Sequence, residues 1–164
     1  MIRRIYFAAA AALLVSVLAV ATGCTKSDDE PVFREIQFRK DGTLEVLAAD
    51  GAQLATLNIE IAEGDSAQAR GLMDRRSLPP MSGMLFVGDE IEEKSFWMER
   101  TPMPLDIIFI SADSQVVSIA RRTRPYSREN ITSNGPAKYV LEVRAGMSDR
   151  IGIDDETRFR WTRD

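Results

Sequence analysis

Short runs of alternating or β-branched apolar residues, each cut off by a turn signal, govern what this chain can fold into. Ile36, Gln37 and Phe38 alternate and meet Asp41-Gly42, a hairpin signal that Leu44, Glu45 and Val46 answer. Asp50-Gly51 marks a second turn before residues 54–61, where Leu57, Ile59 and Ile61 share one face. The period then changes. Asp65 or Ser66 is placed to cap a short helix reaching about Arg75, and Gly71 inside it costs about 1 kcal/mol against alanine. Leu78-Pro79-Pro80 ends that element. Strand-like runs resume at residues 84–87, 95–98, 105–110, 116–120, 139–143 and 159–161, with turns at 112–114 and 134–136. This pattern predicts a mainly-β (β-rich α+β) domain: a compact barrel-like or rolled sheet of about eight short strands, with one or two short helices covering one end.

The first 23 residues read differently. Arg3 and Arg4 precede an apolar run over residues 7–21, interrupted only by Ser16. That length suits the core of a secretory signal peptide and falls short of the ~20 residues that span a bilayer. The run ends Ala21-Thr22-Gly23-Cys24, which resembles a lipobox with its acylated cysteine. Ala19-Val20-Ala21 offers ordinary cleavage as the alternative. The expected organisation is a signal peptide over 1–23, a lipidated Cys24 and polar tether over 24–33, and a single β-rich domain over 34–164. Two or three acyl chains hold a protein durably on a membrane, so the expected location is the cell envelope, on the periplasmic side.

Composition excludes several chemistries. There is no histidine, which removes Ser-His-Asp and Cys-His mechanisms and histidine-built zinc sites, and one cysteine allows no internal disulfide. Without the two leader arginines the remaining chain carries 19 basic against 25 acidic residues, a charge of −6 that repels nucleic acid. No cofactor is implied.

Three segments carry a resemblance: RGLMDRRSLPPMSGMLFV over 70–87, FWMERTPMPLDIIFI over 96–110 and YVLEVRAG over 139–146. In order and spacing they are similar to the bacterial and archaeal family known as domain of unknown function 192, from about Leu44 to Phe159. The resemblance implies a compact, largely β domain and no established activity. Where the family commonly has a lysine-asparagine pair after F-W-M, this chain has Glu99-Arg100.

The candidate functional residues sit within those motifs: Arg70, Arg75, Trp97, Thr101, Asp106 and Glu142. Asp106 and Glu142 interrupt strongly apolar runs, and a carboxylate taken out of water needs an opposite charge or several donors. Arginine is the natural partner, so Arg70–Asp106 and Arg75–Glu142 are the expected ion pairs if the cluster is structural. If an arginine keeps a free face, the same residues form a pocket for a small, anionic ligand, with Thr101 as hydroxyl donor. A hydrolase using Asp106 and Glu142 as an acid/base pair is a further alternative. So is Cu(I) handling by Met73, Met81, Met84, Met98 and Met103. The leading expectation is a non-enzymatic envelope domain that binds a small ligand or an envelope partner, with a purely structural or protein-interaction role as the alternative. Arg121, Arg122, Arg124 and Arg128 form a basic loop, and Asp89, Glu90, Glu92 and Glu93 an acidic one; solvation of both is the expectation, with contact of the basic loop to anionic headgroups as the alternative.

Overall fold

Alternation along the strands is what orders this molecule, and both faces of the sheet turn out to be covered. The structure is a computed structural model and describes residues 35–164; the expected signal peptide, lipidated Cys24 and polar tether lie outside the described residues. Seven strands and two short helices follow one another as β1 (Gly42–Leu47), β2 (Gln53–Ala62), α1 (Gly64–Arg70), β3 (Ser82–Phe96), β4 (Leu105–Ile110), β5 (Val116–Ala120), β6 (Ile131–Arg144), α2 (Met147–Ile151) and β7 (Arg158–Arg163). They form one mixed sheet in the order β5-β4-β6-β3-β2-β1-β7. All neighbours are antiparallel except β2 and β3, which α1 joins as a crossover between parallel strands. The sheet rolls until its two edge strands meet at one bridge, Gln115 with Arg158, where the Phe159 amide donates to the Ser114 carbonyl at 3.0 Å. Among the described residues the sheet stays an open roll, not a closed barrel.

Register divides the buried residues into two cores. Leu44, Leu57, Ile61, Leu85, Leu141 and Ile108 lie on the face that α2 covers. Met84, Phe86, Val140, Ile107 and Phe109 lie on the opposite face, beneath Leu72, Leu78, Met98 and Met103. The second core closes because β3 and β6 are long and bulged. Between Val87 and Glu92 the ladder slips, and the outer part of the pair curls back over the sheet. Phe96 thereby packs edge-on against Phe86 at 5.0 Å and against Phe109 at 6.0 Å. Burial on two faces makes β4 apolar almost throughout: all six of its residues are buried.

Three local expectations need correction. Residues 36–38 are not a strand, and Asp41-Gly42 is no hairpin turn. The Asp41 carboxylate accepts the Ile61 amide at 2.9 Å and pairs with Arg39 at 2.6 Å, which holds the segment beside β2 instead. Gly42 opens β1, and a Cβ there would fall 2.2 Å from the Thr162 carbonyl oxygen, so close approach of β7 requires this glycine. The expected strands at 84–87 and 95–98 are two ends of one bulged strand, β3. The helix stops at Arg70 because Gly71 turns the chain at φ 45°, well short of Arg75. Asp50-Gly51, by contrast, makes the β1–β2 turn, with Gly51 at φ 85° and the Asp50 carboxylate accepting the Ala52 amide at 2.9 Å.

Candidate functional site

Strand register decides which of the candidate side chains can meet. Glu142 of β6 stands opposite Met84 of β3 and Ile107 of β4, so its side chain belongs to the second core. Asp106 stands opposite Val143 and points to the first. The two carboxylates therefore occupy opposite faces of the sheet, which rules out a cooperating acid/base pair.

Asp106 is fully buried and fully used. It accepts the Arg122 amide at 2.8 Å, the Ser148 amide at 3.1 Å and the Ser148 hydroxyl at 2.6 Å, fastening the first turn of α2 to β4. No arginine side chain is needed there, so the expected Arg70–Asp106 pair is not formed. The expected Arg75–Glu142 pair is not formed either. Arg75 grips Glu60 of β2 through two parallel bonds of 2.8 and 2.6 Å, and Glu60 also accepts the Arg39 amide at 2.6 Å. Both side chains are buried, in the geometry where a guanidinium–carboxylate pair is strongest. Glu60 escaped sequence reasoning because Leu57, Ile59 and Ile61 marked the buried side of β2. On a sheet covered twice, the other side is buried too.

The Glu142 carboxyl has no hydrogen-bond partner among the described residues, although the residue is only 4% exposed. Burial pushes its carboxyl up to about 8, so the group is mostly protonated at neutral pH. Among the described residues no buried side-chain oxygen or nitrogen is sealed off without a partner. The Glu142 oxygens accordingly open on a cavity of about 350 Å³, whose lining includes Glu142 itself. Phe86, Phe96, Leu72 and Met73 supply its apolar wall, and Arg70, Trp97, Lys94 and Thr101 line it as well. Four of the six expected residues thus share one cavity: Arg70, Trp97, Thr101 and Glu142. Arg75 and Asp106 are spent elsewhere.

The remaining charges have a simple arrangement. Lys94 pairs with Glu92 at 2.7 Å and Glu99 with Arg128 at 2.7 Å. Arg70, exposed at the end of α1, carries no ion pair among the described residues, and neither does Glu93. Trp97 is 48% exposed. The Thr101 hydroxyl donates to the Glu99 carbonyl at 3.3 Å.

Interlocked loops hold this geometry. The Asp74 amide donates to the Arg100 carbonyl at 2.7 Å, the Met98 amide to the Ser127 carbonyl at 2.9 Å and the Tyr126 amide to the Thr101 carbonyl at 3.2 Å. Asp74, Arg100 and Tyr126 all have positive φ, a conformation that costs energy without glycine and is kept by surrounding contacts. Asp74 and Arg100 also form an ion pair. The Glu99-Arg100 departure is thereby absorbed into pairs with Arg128 and Asp74.

The methionines are mainly packing. Met84, Met98 and Met103 are buried in the second core, and the Met98 sulfur accepts the Thr123 hydroxyl at 3.1 Å. The basic loop is partly neutralised, since Arg121 and Arg122 both pair with Asp149 at 2.9 and 2.5 Å. The Arg122 guanidinium, with Arg121 beside it, holds that carboxyl below its usual range.

Comparison with known proteins places the chain in one family. Residues 45–161 match the family model DUF192, described as an uncharacterized ACR, and the chain belongs to that family. Two solved structures are similar. A candidate transcription regulator from Sinorhizobium meliloti 1021 is 33% identical, with a TM-score of 0.72, covering 78% of this chain and 98% of the other. A protein of unknown function from Novosphingobium aromaticivorans DSM 12444 is 34% identical, with a TM-score of 0.68, covering 73% and 84%. No curated protein matches.

Proposed function

We propose that this chain is a non-catalytic binding domain of the cell envelope that takes a small ligand in the Arg70–Trp97–Glu142 cavity. One observation carries the reading: a buried carboxyl without a partner among the described residues opens on a cavity that is also lined by an exposed guanidinium with no ion pair among those residues and by an exposed indole. Cores leave polar groups unsatisfied rarely, because each costs about 1–3 kcal/mol. A ligand that meets Glu142 repays that cost. Arg70 favours an anionic group on the ligand, and Trp97 favours an apolar or ring-like body.

A thermal-shift screen of small metabolites against wild type, Arg70→Ala and Trp97→Ala tests the proposal. The expected result is stabilisation of wild type by one chemical class and loss of that shift in both variants. Equal shifts in all three would place binding elsewhere, and no shift with any class would leave the cavity without a ligand role.

The envelope assignment rests on the leader and Cys24. Incorporation of labelled palmitate that disappears in Cys24→Ala supports an anchor; incorporation that persists argues against it. A nucleic-acid role like that suggested by the description of the Sinorhizobium relative has less support, because this chain carries a net charge of −4.

A further inference from the structure

We infer that the cavity selects a zwitterion with separated charges, whose ammonium group enters to the Glu142 carboxylate while its carboxylate stays at the mouth against Arg70. This rests on the binding reading above and specifies its ligand class.

An acid and a cation, neither paired among the described residues, mark the two ends of the site. Inside, Glu142 is flanked in the sheet by Met84 and Ile107, which offer no donor, and shares the cavity with the apolar Leu72, Phe86 and Phe96. Arg75, on the same side of the sheet, is committed to Glu60. The other charged groups lining the cavity are Arg70, Glu92, Glu93, Lys94 and Glu99. Three carboxylates there outnumber two cations, so the mouth favours passage of a cation over an anion. Lys94 is tied to Glu92, which leaves Arg70 as the lining cation able to present its fork to a carboxylate. Trp97 stands beside that path with nearly half its surface exposed, and an ammonium or its methylene chain packs well on an indole face.

The alternative is that Glu142 stays neutral and donates a hydrogen bond to an oxygen of the ligand. The two modes differ in protons. An ammonium pairs with the carboxylate form, so binding at pH 7 drives the Glu142 proton into the buffer; affinity rises from pH 6 to 8 as the free protein loses that proton unaided. A neutral donor keeps its proton, and affinity falls as pH rises through the same range.

Titration calorimetry on the full chain in detergent, with 6-aminohexanoate, hexanoate and hexylamine as probes, separates them. Runs at pH 7 in two buffers of different ionisation enthalpy count the protons. The expected result is 6-aminohexanoate at least tenfold tighter than either single-charge probe, with release approaching one proton. Glu142→Gln should abolish the release and weaken 6-aminohexanoate about tenfold. Arg70→Gln, at an exposed position, should bring 6-aminohexanoate down to the level of hexylamine. Hexanoate binding as tightly as 6-aminohexanoate with no proton release would overturn the zwitterion and leave the binding reading intact. Absence of binding by all three probes would also overturn it, while the metabolite screen judges the cavity independently.

Discussion

Glu60 and Glu142 lie on the same face of the sheet in one cross-strand row, separated only by Met84 of the intervening strand. Their environments could hardly differ more. Glu60 is held by both arms of Arg75 and a backbone amide, whereas the Glu142 carboxyl has no partner among the described residues and faces a cavity. One carboxylate of the row is structural, held by its arginine; the other is left available.

Glu142 makes stability depend on pH with a definite sign. Its value in the folded protein, about 8, lies above the ordinary 4.5 of a glutamate carboxyl, so the folded protein binds more protons between those limits. Stability falls as pH rises through that window, by about 1.4 kcal/mol per unit at most, and levels off above it. Glu142→Gln should therefore gain stability over wild type at pH 8 by a few kcal/mol and little at pH 4. Urea unfolding at the two pH values reads this directly, and an equal difference at both would refute it.

Breaking the Arg75–Glu60 pair should be costly. Arg75→Ala strands Glu60 in the core, and about 3–5 kcal/mol is expected. The double variant Glu60→Leu/Arg75→Met should recover most of that loss, since two apolar side chains leave no buried charge behind. A double-mutant cycle with coupling near zero would contradict the geometry.

Asp106 fastens α2. Removing its three accepted hydrogen bonds by Asp106→Ala should cost about 3 kcal/mol or more. The loss should show locally, as faster amide exchange at Ser148 and Arg122, whose N–H groups bond to the carboxylate. Unchanged exchange at both amides would mean that the helix is held by other contacts.

Trp97 should separate binding from folding. With about half of its surface already in water, Trp97→Ala is expected to cost under about 1 kcal/mol while abolishing ligand-induced thermal shifts. A large loss of stability would instead make the indole part of the core.

The strands from Leu105 to Ile110 and from Val116 to Ala120, and the turn at Asp50-Gly51, were legible because local pattern and tertiary burial agree there. The parallel β2–β3 pairing was not, since nothing local announces which strand a crossover returns to. Nor was the return of Phe96 onto Phe86, which depends on a bulge in a strand of fifteen residues. The site shows the same division. That Asp106 and Glu142 require explanation was readable from their apolar neighbours. Their partners were not: a backbone amide and a serine satisfy Asp106, and the arginine assigned to Glu142 reaches Glu60. Arg70 and Arg75 looked like one helical pair until Gly71 ended the helix and sent them different ways.

One carboxyl group decides whether the cavity holds an unsatisfied acid. The ¹³C shift of the Glu142 side-chain carboxyl, followed from pH 4 to 10 in the ligand-free protein, should titrate with a midpoint near 8. A midpoint near the ordinary glutamate value of about 4.3 would mean that the group is solvated or paired in solution, and the cavity would lose the unsatisfied acid on which its proposed ligand depends.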